Sequence, residues 1–393
     1  MYNTDFDKIN KVLVNTRQLW QHRSFFDIET PWEKHHPALL KALHTLSINQ
    51  AEQLAKDNNA LLAWFTPYLS IECEQLATLK VAQSAHRTLT LNPHHSVAIP
   101  GRKWQQIKAF NSAIPELKHP VVEWCSGKAH LGRIIARSHQ QKVYSLELNS
   151  SLCNAGQALA KNQKVDIELI HHNVLRPLPI QARGTDRAHI GLHACGELHM
   201  TLLKTAASER SQQIAISPCC YHKINQDYYP PLSSQAQRAG LILTKEDLHL
   251  TQEETVTAGN RVQQLRHKEQ VWRLAFDLLQ REQQGVPRYQ AIPSTPKAIF
   301  SGGFKNFCEW AAQSFGLTLT QGIDYNHYLA LGEKRREQVV KLDLVRQLFR
   351  RPMELWLALD RVLFLEEQGY DVNLTEFCER HTTPRNLLIY AQR

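Results

Sequence analysis

The chain has 393 residues, of which 42% are hydrophobic and 21% are charged, as in an ordinary globular protein. It contains no run of 18 apolar residues, which excludes a membrane-spanning helix, and its first residues, MYNTDFDKINKV, lack the apolar segment of a secretion signal. Its eight cysteines lack the dense spacing of a disulfide-stapled scaffold. We therefore expect a cytoplasmic protein with reduced thiols.

The charge balance indicates a polyanionic partner. The formal net charge is +9, the sequence pI is about 9.1, and 20 histidines can add positive charge below pH 7. A basic surface of this kind favours binding of RNA or DNA.

The first part of the chain is predicted to be helical. Apolar residues recur at helical spacing in FDKINKVLVNTRQLWQH, HPALLKALHTL and AWFTPYLSIECEQLATLKVAQ. The turn-rich stretch LNPHHSVAIPGRKW then ends this region at a Pro-Gly pair. We predict an N-terminal helical domain over residues 1–95 and a second domain over residues 96–393.

Strands and helices alternate after this boundary. The predicted strands are PVVEWC, KVYSLEL, VDIELIHHNV, RAHIGLHAC and QQIAISPCC, and helical segments lie between most of them. Such βαβ alternation predicts a doubly wound α/β fold of the Rossmann-like kind, with a parallel sheet between layers of helices.

The C-terminal part is predicted to complete the same sheet. The pattern is lost over residues 223–350, where helical pieces such as VQQLRHKEQVWRLAFDLLQ and KRREQVVKLDLVRQLFRR stand. The helix MELWLALDRVLFLEEQG, stopped by Gly369, precedes two strand-like runs, YDVNLTEFC and RNLLIYAQR. We therefore predict a largely helical insertion at about 223–350 and a terminal β-hairpin.

Three strand ends offer groups that could bind an adenosine-containing ligand. Gly127 in EWCSGKAHLG permits a tight turn, Glu147 could accept hydrogen bonds from both hydroxyls of a ribose, and Asn173 could bind the edge of an adenine. The loop does not match GxGxxG, which argues against a pyrophosphate-binding dinucleotide site. S-adenosylmethionine fits this description.

These segments resemble class I S-adenosylmethionine-dependent methyltransferases, whose sheet also closes with a helix and a β-hairpin. More closely, EWCSGKAHLGR, GLHACGELH, SPCCYHK, LDRVLFLEEQG and TTPRNLLIYA resemble a methyltransferase-like family that includes the C-terminal domain of glutathione S-transferase C-terminal domain-containing protein. The resemblance covers about 100–225 and 350–393. The first and third glycines of the usual methyltransferase loop are Cys125 and Ala129 here.

The resemblance and the strand ends together define the expected cofactor site. Its candidate residues are Glu123, Cys125, Ser126, Gly127, Lys128, His130, Leu131, Glu147, Asn173, Val174, His193, Ala194 and Cys195.

The cysteines and histidines after the fourth and fifth strands of this predicted sheet suggest further chemistry. A zinc site would use His193, Cys195, His199, Cys219, Cys220 and His222. We expect no metal, because side chains of adjacent residues in a strand point to opposite faces and the pair at 219 and 220 could not easily both bind. A zinc deaminase is excluded because the two segments read HAC and PCCYH, without the catalytic Glu of H-x-E or the spacing of P-C-x-x-C.

Two mechanisms of methyl transfer remain open. Cysteine-dependent methylation of cytosine C5 would use a thiolate from Cys195, Cys219 or Cys220. Methylation of a nitrogen needs a lone pair held in line with the methyl group and a proton acceptor. Tyr221 could stack on or hydrogen-bond a planar target, while His193 or His222 takes the proton. The catalytic candidates are therefore His193, Cys195, Cys219, Cys220, Tyr221 and His222.

The predicted acceptor is RNA. The basic helices of the insertion could contact phosphates, and Trp272 or Trp310 could stack on a base. A non-catalytic module that binds S-adenosylmethionine or a protein partner is the alternative, motivated by Cys125 and Ala129. Methylation of a protein side chain is a third possibility.

Overall fold

The computed structural model describes residues 2–253, 260–285 and 288–393; residues 254–259 and 286–287, which belong to the predicted insertion, lie outside the described residues. Within the described part the strands are β1 (Ala82–Gln83), β2 (Val121–Trp124), β3 (Val143–Glu147), β4 (Ile167–His171), β5 (Ala188–Cys195), β6 (Gln213–Cys219), β7 (Asp371–Glu376) and β8 (Leu387–Gln392).

The helices of the described residues are α1 (Tyr2–Asn15), α2 (Arg17–Trp20), α3 (Pro37–Thr45), α4 (Ile48–Leu54), α5 (Asn58–Phe65), α6 (Ser70–Ala77), α7 (Gly101–Ala113), α8 (His130–His139), α9 (Ser150–Asn162), α10 (Glu197–Ser208), α11 (Ser234–Arg238), α12 (Lys245–His249), α13 (Asn260–Gln284), α14 (Gly303–Ser314) and α15 (Tyr325–Glu367). None of these helices combines the length and the apolar character that a membrane crossing requires.

The strands form one sheet in the order β1-β7-β8-β6-β5-β2-β3-β4. Neighbours from β6 to β4 are parallel, whereas β8 is antiparallel to both β6 and β7. The predicted Rossmann-like α/β fold with its C-terminal hairpin is thereby confirmed. Because the chain order reverses at β2, the carboxyl ends of β2 and β5 border the crevice in which such sheets bind ligands.

The compact units of the chain differ from the predicted domains. One unit comprises residues 1–14, 75–257 and 351–393, and the other comprises residues 15–74 and 258–350. Residues 1–95 are divided between the units. Strand β1 extends the sheet beside β7, and Asn10 of α1 forms hydrogen bonds with the Ala239 carbonyl and with Trp356 Nε1, so both belong to the first unit. The predicted division at residue 95 therefore does not coincide with the edge of a compact unit.

Two helices predicted separately are one. Helix α15 runs through 43 residues and contains Pro352, which removes one backbone hydrogen bond without ending the helix. The helix ends where predicted: Gly369 has a φ of 82°, and Tyr370 N–H donates to the Leu365 carbonyl as in a Schellman cap.

A buried carboxyl group lies where α8 packs on β2 and β3. Glu123 is 3% exposed, and its Oε2 accepts a hydrogen bond of 2.6 Å from Ser145 Oγ. A Cβ added at Gly132 would lie 2.3 Å from that same Oε2, so glycine permits this close approach. Burial raises the pKa of Glu123 to about 7.

A second buried polar network joins α15 to the segment after β6. Asp360 accepts hydrogen bonds from Tyr229 Oη (2.5 Å), from the N–H groups of Leu232 and Ser233, and from Ser233 Oγ. Arg361 donates to Tyr229 Oη (2.9 Å) as well, so the tyrosine hydroxyl bridges both charges. Both charged residues are 0% exposed.

The second unit has an aromatic core that includes Trp272. This side chain is 5% exposed and contacts the rings of Phe300, Phe304 and Phe307. The prediction that Trp272 could stack on an RNA base is therefore wrong, because its ring is buried and packs against other aromatic rings of the core. Trp310 is only partly buried beside the same core.

Part of the basic charge of the insertion is also internal. Arg335, Arg346 and Arg350 are buried, and they donate to the carbonyls of Ser24 and Trp20 and to Asn58 Oδ1, respectively. These guanidinium groups replace solvent with protein acceptors rather than face a nucleic acid. Exposed positive charge remains at Arg261, Arg266 and Lys334.

We expect Asp360→Ala to lower the free energy of unfolding by about 3–5 kcal/mol, because it leaves the Tyr229, Leu232 and Ser233 donors buried without their acceptor and removes the charge that compensates Arg361. Glu366→Ala, at the exposed end of the same helix, is the matched control and should cost less than about 0.5 kcal/mol. Urea denaturation measures both. Equal losses in the two variants would contradict the role of the network.

Glu123→Gln should remove a pH dependence of stability. Between about pH 4.5 and pH 7 the folded protein keeps a proton on Glu123 that the unfolded chain has lost, so this group makes unfolding easier as the pH rises. We expect the free energy of unfolding of the variant to rise by about 3 kcal/mol relative to that of the parent as the pH increases from 4.5 to 8. Denaturation at several pH values measures this, and parallel curves would refute it.

Candidate active site

The loop after β2 has an unusual backbone. Cys125, Gly127 and Ala129 all have positive φ, at 56°, 59° and 49°. This left-handed region costs an L-residue about 1 kcal/mol or more, and strain of this kind is concentrated at functional sites. The two residues that replace glycines of the usual methyltransferase loop therefore keep the conformation that glycine would adopt.

The same loop is hydrogen-bonded to the end of β3. Gly127 N–H donates to Glu147 Oε2 at 2.8 Å, and Asn149 N–H donates to Oε1 of the same carboxylate at 2.9 Å. Ser126 is 6% exposed and its Oγ has no partner within the described residues, so a buried hydroxyl is available beside this contact. Around Gly127 the space for a Cβ is open.

The remaining expected cofactor residues vary in exposure. Leu131, Val174 and Ala194 are buried and offer apolar surface, whereas Lys128 is exposed. Asn173 is exposed and its Oδ1 accepts from Leu175 N–H at 3.0 Å, so its side chain stabilises a turn.

Two buried groups lie on the first turns of α8. His130 Nδ1 lies 2.6 Å from Arg133 Nη2, and burial lowers the pKa of His130 to about 4. Arg133 is 1% exposed, and its Nε and Nη1 have no partner among the described residues. Burial has the opposite effect on a group that is charged when deprotonated, and it raises the pKa of the nearby Cys125 thiol to about 12, with the charges of Glu147, Cys195 and Glu123 contributing.

His193, at the end of β5, is held by a residue that carries no sequence motif. Gln106 of α7 donates from Nε2 to the Thr382 carbonyl at 3.2 Å, which leaves its Oε1 facing His193 Nε2 at 2.9 Å. His193 Nε2 must therefore carry the proton, and Nδ1 has a lone pair. Burial, followed by the charge of Lys103, lowers the pKa of His193 to about 4, so the ring is neutral at pH 7.

The histidine in the first turn of α10 has a structural role. His199 Nδ1 bonds the Ala194 carbonyl at 3.1 Å, and its Nε2 accepts from Arg361 Nε at 2.8 Å. The ring is 0% exposed, and burial lowers its pKa.

Two of the catalytic candidates have rings that contact other side chains of the protein. Tyr221 is 1% exposed, with the guanidinium of Arg361 4.8 Å from its ring centre and the centre of the His199 ring at 5.7 Å. The prediction that Tyr221 stacks on a target is wrong, because the side chain is buried and its ring already contacts Arg361 and His199. His222 stacks on His249 with ring centres 3.9 Å apart.

The three cysteines at the ends of β5 and β6 converge. The sulfur atoms of Cys195, Cys219 and Cys220 all lie within 4.8 Å of one another, and Cys195 Sγ is 3.3 Å from Cys219 Sγ. The argument that Cys219 and Cys220 point to opposite faces is wrong here, because β6 ends at Cys219 and Cys220 has a φ of 45°. Hydrogen bonds with Cys195 and Cys219 lower the pKa of the Cys220 thiol, whereas hydrogen bonds with Cys195 and Cys220 raise the pKa of the Cys219 thiol.

Residues 102–227 match a family described as a methyltransferase domain. Parts of the chain are also similar to solved methyltransferase structures. They include a tRNA (uracil-54, C5)-methyltransferase of Pyrococcus abyssi (17% identity, 29% of this chain, 28% of that chain, TM-score 0.24), a SAM-dependent methyltransferase from Aquifex aeolicus (14%, 32%, 66%, 0.24) and geranyl diphosphate methyltransferase (11%, 34%, 62%, 0.26).

In each case the chain spans less than two thirds of the other protein. The closer resemblance to the family that includes glutathione S-transferase C-terminal domain-containing protein stays a prediction. The sequence match and the strand order agree: residues 102–227 match a methyltransferase domain, and the sheet that contains them has the Rossmann-like order.

Proposed function

We propose that this protein is an S-adenosylmethionine-dependent methyltransferase that acts on RNA in the cytoplasm. The observation that carries the first part is the contact between Gly127 N–H and Glu147 at the ends of β2 and β3, inside the segment that matches the methyltransferase family. The residues there fit the cofactor. Ser126 offers an unpartnered buried hydroxyl, and Glu147 offers carboxylate oxygens to ribose hydroxyls.

Bound S-adenosylmethionine would supply an electrophilic methyl group on its sulfonium. The chain's own contribution is to hold the donor through Glu147 and the Cys125–Ala129 loop, and to accept a proton at His193 Nδ1. Gln106 orients that histidine by fixing which ring nitrogen carries hydrogen. Because Tyr221 is buried and His222 is stacked, His193 is the proton acceptor that we favour.

A cavity next to this site supports RNA as the acceptor. It has a volume of about 740 Å³ and is lined by His86, Arg87, Lys108, His381, Trp104 and neutral neighbours. Lys108 Nζ lies 5.9 Å from the ring centre of Trp104, so positive charge and an aromatic face occur together, as in single-strand nucleic-acid sites. Helix α7 and Thr382 contribute both to this cavity and to the Gln106–His193 contact.

The alternatives differ in what supports them. The non-catalytic module was motivated by Cys125 and Ala129, yet both keep the left-handed backbone that suits cofactor binding. Cysteine-dependent cytosine methylation would draw its nucleophile from Cys195, Cys219 or Cys220. Methylation of a protein side chain would be distinguished by the labelled product.

We expect Glu147→Ala to weaken S-adenosylmethionine binding by about 10- to 100-fold, because charge-assisted hydrogen bonds of about 1.5–3 kcal/mol are lost. Calorimetric titration with S-adenosylmethionine and S-adenosylhomocysteine measures this. Glu168→Ala is the matched control, because Glu168 pairs with Lys142 near the amino ends of the strands, away from the pocket. This variant should bind S-adenosylmethionine like the parent. Unchanged affinity in Glu147→Ala would contradict the proposed pocket.

His193→Ala should separate chemistry from binding. We expect methyl transfer to RNA to fall by about 100-fold or more, while S-adenosylmethionine affinity changes less than threefold. His193 was expected among the cofactor residues, but in this proposal it accepts a proton and does not hold the donor. Transfer of labelled methyl to total RNA and to protein measures this.

The same assay tests the acceptor. RNA methylation and RNA binding should both weaken as salt rises, since phosphate contacts release counterions. Lys108→Ala should reduce RNA binding with donor affinity unchanged, and Lys245→Ala, outside the cavity, is its control. Label in protein but not RNA, or no RNA affinity at low salt, would reject RNA as the acceptor.

A further inference from the structure

The three-cysteine cluster, Cys195, Cys219 and Cys220, has a geometry that its sequence spacing conceals. Cys195 and Cys219 are register partners on the parallel strands β5 and β6, so their sulfur atoms meet side by side at 3.3 Å. Cys220 follows directly, outside the strand, and its left-handed φ turns its sulfur back toward the other two. All three sulfur atoms lie within 4.8 Å of one another.

Backbone contacts hold this arrangement. The pairing of β5 and β6 shifts register between Leu192 and Cys195, which brings Cys195 opposite Cys219. Gly196 N–H then donates to the Cys219 carbonyl at 3.1 Å, and Lys223 N–H donates to the Cys220 carbonyl at 2.9 Å. A Cβ on Gly196 would lie 2.0 Å from the Lys223 carbonyl oxygen, so only glycine permits these two turns to touch.

The spacing suits a metal better than a single disulfide. Zinc–sulfur bonds of about 2.3 Å in a tetrahedron separate the sulfur atoms by about 3.8 Å, which lies within the span of this cluster. A disulfide would use two of the sulfurs and require them to approach to about 2.05 Å. A disulfide between Cys195 and Cys219 would also leave the nearby Cys220 thiol unbonded, whereas a metal ion can bind all three sulfur atoms.

We propose that Cys195, Cys219 and Cys220 bind one soft or borderline divalent metal ion of the zinc class through three thiolates. The binding step replaces the thiol protons, up to three, with three metal–sulfur bonds and releases the protons to solvent. No fourth histidine or carboxylate atom joins the group among the described residues. Three protein ligands leave one coordination position open, as in catalytic zinc sites, at the same strand ends as His193.

Neighbouring histidines do not complete the site in this structure. Both ring nitrogens of His199 have protein partners, and His193 Nε2 bonds Gln106. His222 Nδ1 is buried without a hydrogen-bond partner among the described residues, but it lies outside the group of atoms within 4.8 Å of one another. In this arrangement the open position would take water or a ligand atom from a substrate.

Cobalt binding to the full chain tests this proposal. Reduced, chelator-treated protein is titrated with Co²⁺, and we expect one ion per chain with sulfur-to-cobalt charge-transfer absorption, displaced by Zn²⁺. Cys195→Ser and Cys220→Ser should each lower the affinity for Co²⁺ by at least about 100-fold. Loss of a residue that only hydrogen-bonds to a metal ligand already costs up to about 100-fold, and loss of the ligand itself should cost no less. Both residues are only partly buried, which favours folding of the variants.

Cys378→Ala is the control, because Cys378 is a buried cysteine outside the cluster. It should bind cobalt like the parent, and thermal melting of all variants checks that they fold. Absence of the charge-transfer band in reduced parent protein would overturn the proposal. So would equal binding by the parent and both cluster variants. The readout does not depend on methyl transfer, so the result stands apart from the proposed activity.

Discussion

The buried guanidinium of Arg361 contacts both segments that carry the candidate catalytic residues, HACGELH at the end of β5 and CCYH at the end of β6. Arg361 of α15 donates to His199, which follows HACG, and lies against the ring of Tyr221, which follows the adjacent cysteines. Asp360 compensates this charge through the shared hydroxyl of Tyr229. Because buried charges are stable only when their partners are in place, this network holds the ends of β5 and β6 in one arrangement.

The loop after β2 shows how a different sequence can keep one backbone shape. Cys125 and Ala129 stand where methyltransferase loops usually have glycine, yet both have positive φ. The strain is tolerated because the loop is fixed at several points, among them Gly127 N–H on Glu147 and Ser126 N–H on the Leu146 carbonyl. Side-chain identity at these positions is therefore a weaker indicator of function than the conformation of the backbone.

Sequence patterns predicted the seven longer strands and the hairpin well, because burial on both faces and helix alternation leave clear periodic signals. They failed where a side chain's role depends on distant residues. Tyr221 and Trp272 are aromatic residues of the kind that stack on ligands. In the structure Arg361 lies over the ring of Tyr221, and three phenylalanines contact the ring of Trp272. The basic helices of the insertion were predicted to contact phosphates, but Arg335 and Arg346 instead donate to carbonyls far along the chain. Gln106 was missed because no local motif marks it.

The sequence by itself determined the α/β class, the strand ends at which Gly127, Glu147 and His193 stand, and the resemblance to methyltransferases, because these follow from local periodicity and short motifs. Only the tertiary structure decided which of those groups meet. The convergence of Cys195, Cys219 and Cys220 requires a register shift between two strands and a left-handed residue after one of them. The proton position on His193 requires a glutamine 87 residues away. Such contacts are set by packing across the sheet, which spacing along a single chain does not encode.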